Sequence, residues 1–306
     1  MRAAVVRKVG GPEAVEVLEV PLLEPGPFQI RIKVAAAALN PADAAVWGGV
    51  FGPLDDMEHA GLGLDAAGTI DAVGLGVLLD VGAPVIAFDS GALRPTKAQA
   101  EYLVVHLNSI AAAPEGMDPT LAATIPLNAM TAAQALDHLP LRPRDTLLIT
   151  GAGGAVGGYA VELARTRGVR VVAQGQPEDE EFLRARGAWF VSRHEELSAA
   201  VHRFAPQGVD GVLDAAALGE PALAAVRDGG IFVSLRVDVL PQPQRGVVVR
   251  HTTASPEPAR LAYLSALAEV GLLTPRVART YPLSEAAEAH AQLARGGLRG
   301  RIVLVP

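Results

Sequence analysis

Residues 146–158 read TLLITGAGGAVGG, a short apolar run that leads directly into a cluster of glycines. The next residues, up to 166, have the pattern of a helix, so the segment has the order strand, glycine turn, helix. Glycines at such a turn allow a phosphate to approach the backbone, and the helix N-terminus offers N–H groups and a positive dipole end to the anion. The segment therefore predicts a dinucleotide-binding loop, with an ordinary structural turn as the alternative.

The glycine pattern departs from a strict G-x-G-x-x-G motif. Val156 stands where the third glycine would be, and the spacing reads Gly151-x-x-Gly154-x-x-Gly157. The residues of this loop predicted to bind the cofactor are Gly151, Gly153, Gly154, Ala155, Val156 and Gly157.

Strand-like and helix-like segments alternate around this loop. The predicted strands are 146–150, 169–173, 211–214 and 230–235, and the predicted helices are 119–136, 155–166, 178–186, 221–227 and 257–270. Such alternation predicts an α/β domain with a doubly wound parallel sheet of the Rossmann type. The first third is β-rich, and the chain ends with a predicted helix at 284–294 and a strand at 301–305. We predict a β-rich domain of residues 1–118 and 272–306 and a dinucleotide-binding domain of residues 119–271.

The composition excludes several classes of protein. The chain has 306 residues, 50% of them hydrophobic and 19% charged, which excludes disorder and allows a large core. Since it contains no cysteine, a disulfide-built fold, thiolate metal sites and cysteine nucleophiles are also excluded. The formal net charge of −7 argues against a general nucleic-acid or membrane-surface binder. We expect a soluble, cytoplasmic protein that acts on a small molecule.

Several stretches together resemble one family, the medium-chain dehydrogenase/reductases, in their zinc-free, quinone-oxidoreductase-like branch. Besides the glycine loop, the stretches that carry the resemblance are 39–43 (LNPAD), 63–68 (GLDAAG) with 72–74 (AVG), 100–102 (AEY), 127–132 (LNAMTA), 282–286 (PLSEA) and 299–304 (RGRIVL). They follow the family's order over nearly the whole chain. The resemblance implies a GroES-like catalytic domain joined to a Rossmann-type cofactor domain, and an oxidoreductase activity.

The residues that bind zinc in zinc-dependent relatives are replaced in this sequence. Zinc-dependent relatives carry a G-H-E segment and several cysteines, whereas the corresponding frame here reads Gly63-Leu64-Asp65. A catalytic zinc needs three protein ligands, and the nearby Glu58-His59 pair lies outside that frame. We therefore expect no metal. Without a Lewis acid, reduction of an activated acceptor fits better than oxidation of an alcohol.

The tip of the second strand of the cofactor domain predicts the type of dinucleotide. NAD enzymes of this fold usually carry an acidic residue there for the ribose hydroxyls, but residues 173–176 read AQGQ. The resemblance therefore implies NADPH rather than NADH, with Gln174 near the adenosine ribose and Arg193 or His194 at the 2′-phosphate. The acids at 178–181 would repel a phosphate, although acids also suit the first turn of a helix that begins near Pro177.

Other site residues follow from the resemblance. Asn40 is the candidate catalytic residue, since its amide could donate to the acceptor oxygen; the alternative is an Asn that caps the turn before Pro41. Thr131 is predicted to contact the cofactor near the nicotinamide, with an ordinary helix Thr as its alternative. The remaining predicted cofactor contacts are Ala215 and Ser234.

The substrate pocket is predicted from Trp47, Phe51 and Gln99. Phe51 and Gln99 stand where related reductases carry tyrosines, so the pocket offers few side-chain acids, which favours quinone-type acceptors protonated by solvent. The function predicted is an NADPH-dependent reductase of quinones or α,β-unsaturated carbonyls. A tailoring enoyl or ketone reductase of secondary metabolism and a non-catalytic nucleotide-binding redox sensor are the alternatives.

A homodimer is predicted from an expected edge strand at 246–251. Three consecutive valines, Val247, Val248 and Val249, have no evident cover in the sequence, and the branch commonly pairs such edges across a twofold axis. The alternative is that the valines pack inward on their own domain.

Overall fold

Strands and helices alternate along most of the chain. The computed structural model describes residues 1–52, 54, 57–91 and 93–306. The strands are β1 Arg2–Val6, β2 Val15–Glu19, β3 Gln29–Ala38, β4 Ala60–Gly61, β5 Asp65–Val73, β6 Pro84–Phe88, β7 Tyr102–His106, β8 Ile110–Ala112, β9 Thr146–Thr150, β10 Arg170–Gly175, β11 Trp189–Ser192, β12 Val209–Asp214, β13 Val226–Ser234, β14 Val248–His251, β15 Val277–Pro282 and β16 Arg301–Val305. The helices are α1 Pro41–Trp47, α2 Pro119–Ala122, α3 Pro126–Asp137, α4 Ala155–Thr166, α5 Glu180–Ala185, α6 Leu197–His202, α7 Glu220–Leu223, α8 Pro258–Glu269 and α9 Ala286–Arg295. No helix in the described ranges is both long and apolar enough to cross a membrane.

The chain divides into two compact units. The first comprises Met1–Leu127 and Ser255–Pro306, and the second comprises Asn128–Ala254. The sequence placed these divisions at 118/119 and 271/272. Helix α8 falls in the first unit because it packs against β8, where the Ser265 hydroxyl donates to the Ala112 carbonyl at 2.7 Å.

The first unit is built on mainly antiparallel sheets, in which β15 and β16 form a parallel pair. One sheet has the order β2-β1-β4, and a larger one has the order β15-β16-β3-β5-β6-β8, with β7 paired to β3. Alternate residues of β3, among them Ile30, Ile32 and Val34, are buried, which is the pattern of a strand with one face on a core. The antiparallel register of β3 and β5 places Ala38 opposite Asp65.

The second unit is a parallel six-stranded sheet with the order β11-β10-β9-β12-β13-β14. In chain order this is 3-2-1-4-5-6, the doubly wound Rossmann topology, so the predicted fold class is confirmed. The strand order reverses between β9 and β12. Ligands of such sheets bind outside the carboxyl ends of the strands at this switch point, and the glycine loop follows β9 there.

Two of the predicted helices differ in the structure, one because it is divided and the other because it ends early. The helix expected at 119–136 is divided into α2 and α3, because Pro126 lacks the N–H that would continue the first helix and begins the second. The helix expected at 221–227 ends at Leu223, because Val226 already pairs with Val209 as part of β13. Pairing with a neighbouring strand outweighs the local helix preference.

The predicted outer strand forms, but its valines are not all exposed. Strand β14 lies at the edge of the sheet and pairs in parallel with β13. Val247 is 3% exposed in the core of the second unit, Val249 packs against that core, and Val248 is 47% exposed. The expectation of three uncovered valines was wrong, because side chains of an extended segment point alternately to opposite faces.

Candidate active site

The glycine loop has the geometry of a phosphate cradle. Gly151 adopts a φ of +59°, which favours glycine, and turns the chain at the end of β9. At Gly157 a Cβ would lie 2.7 Å from the Ala152 Cα, so only glycine allows the helix to pack this closely on the loop. Helix α4 begins at Ala155 with Gly154 as its N-cap residue. Its first N–H groups, from Ala155 and Val156 onward, are therefore suited to bind an anion.

Gln174 holds this loop in place. It is 7% exposed, and its side-chain Oε1 accepts a hydrogen bond from the Gly151 N–H at 3.1 Å. Its backbone carbonyl accepts from the Ala152 N–H at 2.8 Å. The side chain predicted to lie near the ribose is thus bonded to the loop in this structure.

The residues predicted to contact a 2′-phosphate follow β11 and lie beside the tip of β10. The Arg193 N–H donates to the Gly175 carbonyl at 2.8 Å, and the Arg193 side chain is exposed. His194 is also exposed, and its N–H donates to the Ser192 hydroxyl at 3.3 Å. Both backbones therefore lie beside the strand tip with their side chains in solvent.

Asp214, which the sequence did not single out, organises the other side of the switch point. The Thr150 hydroxyl donates to Asp214 Oδ1 at 2.6 Å, and the Gly219 N–H donates to Oδ2 at 2.9 Å. These bonds fix the chain that follows β12, including the half-buried Ala215. The signal available in the sequence was an acidic residue at the end of the predicted strand 211–214.

Two further predicted contacts lie on the second unit. Ser234, at the end of β13, is fully buried, and its hydroxyl donates to the Arg236 carbonyl at 3.0 Å and accepts from the Arg236 N–H at 3.1 Å. Thr131 is half-buried on α3. These positions neither confirm nor contradict a cofactor contact, which stays a prediction for both residues.

In the first unit, Asn40 is bonded to Asp65. Both residues are fully buried, and Asn40 Nδ2 donates to Asp65 Oδ2 at 2.8 Å and, over a longer 3.4 Å, to the Ala38 carbonyl. The Leu127 N–H donates to Asp65 Oδ1 at 2.7 Å. Burial raises the pKa of Asp65 to about 7, against the opposing effect of these hydrogen bonds. The pairing of β3 with β5 explains the contact, since Asn40 follows β3 and Asp65 begins β5.

Asp43 connects this pair to a second set of buried side chains. Its carboxylate accepts hydrogen bonds from the Asn40 N–H at 2.7 Å and the Gly63 N–H at 3.0 Å. Burial raises the pKa of Asp43 to about 6, although both backbone bonds act to lower it. The first of these bonds is the reciprocal half of a capping box at the start of α1, so Asp43 stabilises the start of this helix.

Gln99 and His290 extend the hydrogen-bonded chain. Gln99 Nε2 lies 3.3 Å from Asp43 Oδ2, and Gln99 Oε1 lies 2.8 Å from Nε2 of His290. The indole N–H of Trp47 donates to the other imidazole nitrogen at 3.2 Å. Burial lowers the pKa of His290 to about 4, so the ring is neutral at pH 7. The sequence did not indicate His290, because it is distant along the chain from the other members.

The predicted pocket residues have different environments. Gln99 is buried within this chain of hydrogen bonds, and Trp47 is half-buried against the core of the first unit. Phe51 is 62% exposed. A shared substrate pocket for the three stays a prediction.

The residues in the zinc frame do not fit a catalytic zinc site. Leu64 offers no donor atom, and both carboxylate oxygens of Asp65 accept hydrogen bonds from Asn40 and Leu127. The chain has no cysteine. Among the described residues, no group of three or more His, Asp or Glu side chains is arranged around a common centre that could hold a metal.

Comparison with known proteins identifies the family. Residues 26–115 match the alcohol dehydrogenase GroES-like domain, and residues 186–304 match a family described as zinc-binding dehydrogenase. A quinone oxidoreductase of Pseudomonas aeruginosa is 29% identical over 97% of both chains. The chloroplastic NADPH-dependent alkenal/one oxidoreductase of Arabidopsis thaliana is 30% identical over 91% of this chain and 72% of its own. A solved structure described as an NAD-dependent alcohol dehydrogenase is 31% identical, with a TM-score of 0.89 over the full length of both chains.

The chain belongs to the medium-chain dehydrogenase/reductase superfamily, in its quinone-oxidoreductase-like branch. It is accordingly an oxidoreductase of this type.

Proposed function

We propose that the chain is a zinc-independent reductase that transfers hydride from a reduced nicotinamide dinucleotide to a quinone or an α,β-unsaturated carbonyl compound. The observation that carries the proposal is the loss of the metal donors: Leu64 is apolar, and Asp65 is bonded to Asn40 and Leu127. Without a Lewis acid an alcohol is a poor hydride donor at neutral pH, whereas a conjugated carbonyl accepts hydride without one. The names of the Pseudomonas and Arabidopsis relatives support this acceptor class.

The chain's own residues position the reactants, and water completes the proton balance. A bound reduced nicotinamide supplies one hydride, which carries two electrons. The backbone N–H groups at the start of α4 bind the pyrophosphate. The acceptor gains the hydride and one proton, which water supplies, and becomes a hydroquinone or a saturated carbonyl compound.

Asn40 is the proposed donor to the acceptor oxygen. Its amide nitrogen carries two hydrogens, one of which bonds Asp65 at 2.8 Å. The contact with the Ala38 carbonyl is long, at 3.4 Å, so this second hydrogen is the one that a developing oxyanion would attract. Asp65 then acts as a positioning residue that fixes the amide.

The predicted preference for NADPH rested on the missing acid at the tip of β10. The relatives are divided on this point, since the Arabidopsis enzyme is named as NADPH-dependent and the structural neighbour as NAD-dependent. Gln174 is bonded to Gly151, so the preference depends on the residues that follow β10. A homodimer and a cytoplasmic location stay predictions within this proposal.

The proposal is tested with the purified protein, each dinucleotide, and parallel panels of quinones, enones and simple alcohols. We expect the absorbance of the reduced nicotinamide to fall with quinones or enones, and the rate to survive dialysis against a strong chelator. Elemental analysis should find no stoichiometric zinc. One tightly held zinc per chain, or turnover of alcohols alone, would contradict the proposal. Binding of dinucleotide with no turnover on any panel would favour the redox-sensor alternative, and turnover of enones but not quinones would favour the enoyl reductase.

A further inference from the structure

Asp179 is the buried member of the acidic stretch 178–181. It ends a short turn, Pro177–Asp179, directly after β10, and it is 4% exposed. The Gln176 N–H donates to its Oδ2 at 3.1 Å, which directs the carboxylate back toward the strand tip. Glu178, in contrast, is exposed to solvent.

The Asp179 carboxylate lies directly against the glycine loop. A Cβ built on Gly153 would overlap both carboxylate oxygens and the Cγ of Asp179. A larger residue in place of Gly153 would therefore displace the Asp179 carboxylate from this position. Residues 173–176 contain no acid, and Asp179 is a buried acid in the turn that directly follows them.

We propose that Asp179 makes this nucleotide site select NADH over NADPH. This inference rests on the proposed function, and it replaces the preference predicted from Gln174. In parallel sheets of this type, a carboxylate beside the glycine loop accepts hydrogen bonds from the ribose hydroxyls of NAD. A 2′-phosphate on the same ribose would place two negative charges close to this carboxylate. Because the carboxylate is buried, water and salt screen the repulsion only weakly.

The arginines that follow Asp179 along the chain do not compensate for its charge. Arg184, on α5, pairs with Glu180 at 2.6 Å, and Arg186, which follows α5, pairs with Glu162 at 2.6 Å. Arg193 and His194 remain as the predicted phosphate contacts, but both side chains are exposed, where water and salt weaken their attraction. A buried carboxylate against the loop outweighs an exposed guanidinium at its edge.

The test is fluorescence titration of the full-length protein with NADH and with NADPH. We expect the wild-type protein to bind NADH at least tenfold more tightly. Asp179→Asn keeps the shape of the side chain and removes its charge, so it should weaken NADH binding and lower the ratio of the two dissociation constants at least tenfold. Glu178→Gln is the matched control, since it removes the same charge from an exposed position and should leave the ratio within twofold of wild type.

Arg193→Ala separates the two interpretations. If Asp179 decides the preference, this variant binds NADH as the wild type does. Tighter NADPH binding by the wild type, lost in Arg193→Ala and unchanged in Asp179→Asn, would overturn the inference while leaving the proposed function intact. Binding of neither dinucleotide by a protein with a native circular dichroism spectrum would overturn the proposed function, and this inference with it.

Discussion

Trp47 donates its indole N–H to Nδ1 of His290 at 3.2 Å, and this bond fixes the tautomer of the imidazole. Because Nδ1 accepts, the proton of the neutral ring is on Nε2, which donates to Gln99 Oε1 at 2.8 Å. Gln99 can then donate through Nε2 to Asp43. Four residues from three separate parts of the chain thus form one directed series of hydrogen bonds from Trp47 to Asp43.

This arrangement predicts a pH-dependent contribution of His290 to stability. Its pKa is lowered from 6.5 to about 4 in the folded protein, so between these values the unfolded chain binds a proton that the folded chain does not. The contribution is present above pH 6.5 and is lost as the pH falls toward 4. His290→Gln removes the titrating group, so the difference in urea midpoint between wild type and variant should shrink as the pH falls from 6.5 to about 4. A constant difference would contradict the assignment, and the exposed His194→Gln serves as control.

The raised pKa of Asp65 predicts a contribution to stability with the opposite pH dependence. Its pKa is raised from 3.8 to about 7, so the folded protein retains a proton that the unfolded chain loses. The resulting contribution is complete below pH 3.8 and is lost as the pH rises through about 7. Asp65→Asn is neutral at every pH, so its unfolding free energy should decline less than that of the wild type between pH 5 and 7. Parallel curves from urea titrations would show that the carboxyl is ionised throughout.

Asn40→Ala should lower both stability and turnover. The change removes the Nδ2 donor to Asp65, and leaving a buried acceptor unsatisfied costs about 1–3 kcal/mol. If the amide also stabilises the acceptor oxygen, kcat should fall while the dissociation constant of the dinucleotide stays unchanged. Asn108→Ala, at an exposed position, is the control. An Asn40 variant with lowered stability but wild-type kcat would limit Asn40 to the capping and pairing role.

Gly154→Asp should abolish dinucleotide binding without unfolding the protein. Its carboxylate would stand at the N-terminus of α4, where the pyrophosphate is expected, and would repel it. Gly154→Ala is the matched control, because its Cβ would lie 3.1 Å from the Gly151 carbonyl oxygen and requires only a small shift. If Gly154→Asp binds NADH and NADPH as tightly as the wild type does, the loop is only a structural turn.

Strand β14 predicts that the protein forms a symmetric dimer through the edge of its parallel sheet. The only one of the three neighbouring valines that is exposed is Val248, and the edge beyond β14 has no partner strand in the described part of the chain. Val248→Lys places a charge on this edge and should weaken association, as should Val248→Pro, which removes a ladder donor. Light scattering measures the assembly. A single 31.6 kDa species of the wild type at micromolar concentration would contradict the prediction.

The sequence by itself determined the fold class and the position of the glycine loop. The predicted bounds of β9 and α4 agree with the structure at every residue, because the apolar run and the helix pattern are local signals on either side of a glycine turn. The absence of cysteine and the Leu64 substitution likewise needed no coordinates, since they concern residue identity alone.

Only the tertiary structure decided which side chains meet. The register of β3 and β5 brings Asn40 to Asp65, and the fold of α9 brings His290 to Gln99. In the second unit, the close approach of Asp179 to Gly153 depends on a turn whose acids look like an ordinary helix start in the sequence. Periodicity reports the neighbours of a residue within one element, whereas these contacts depend on strand pairing and loop geometry, which no local pattern encodes.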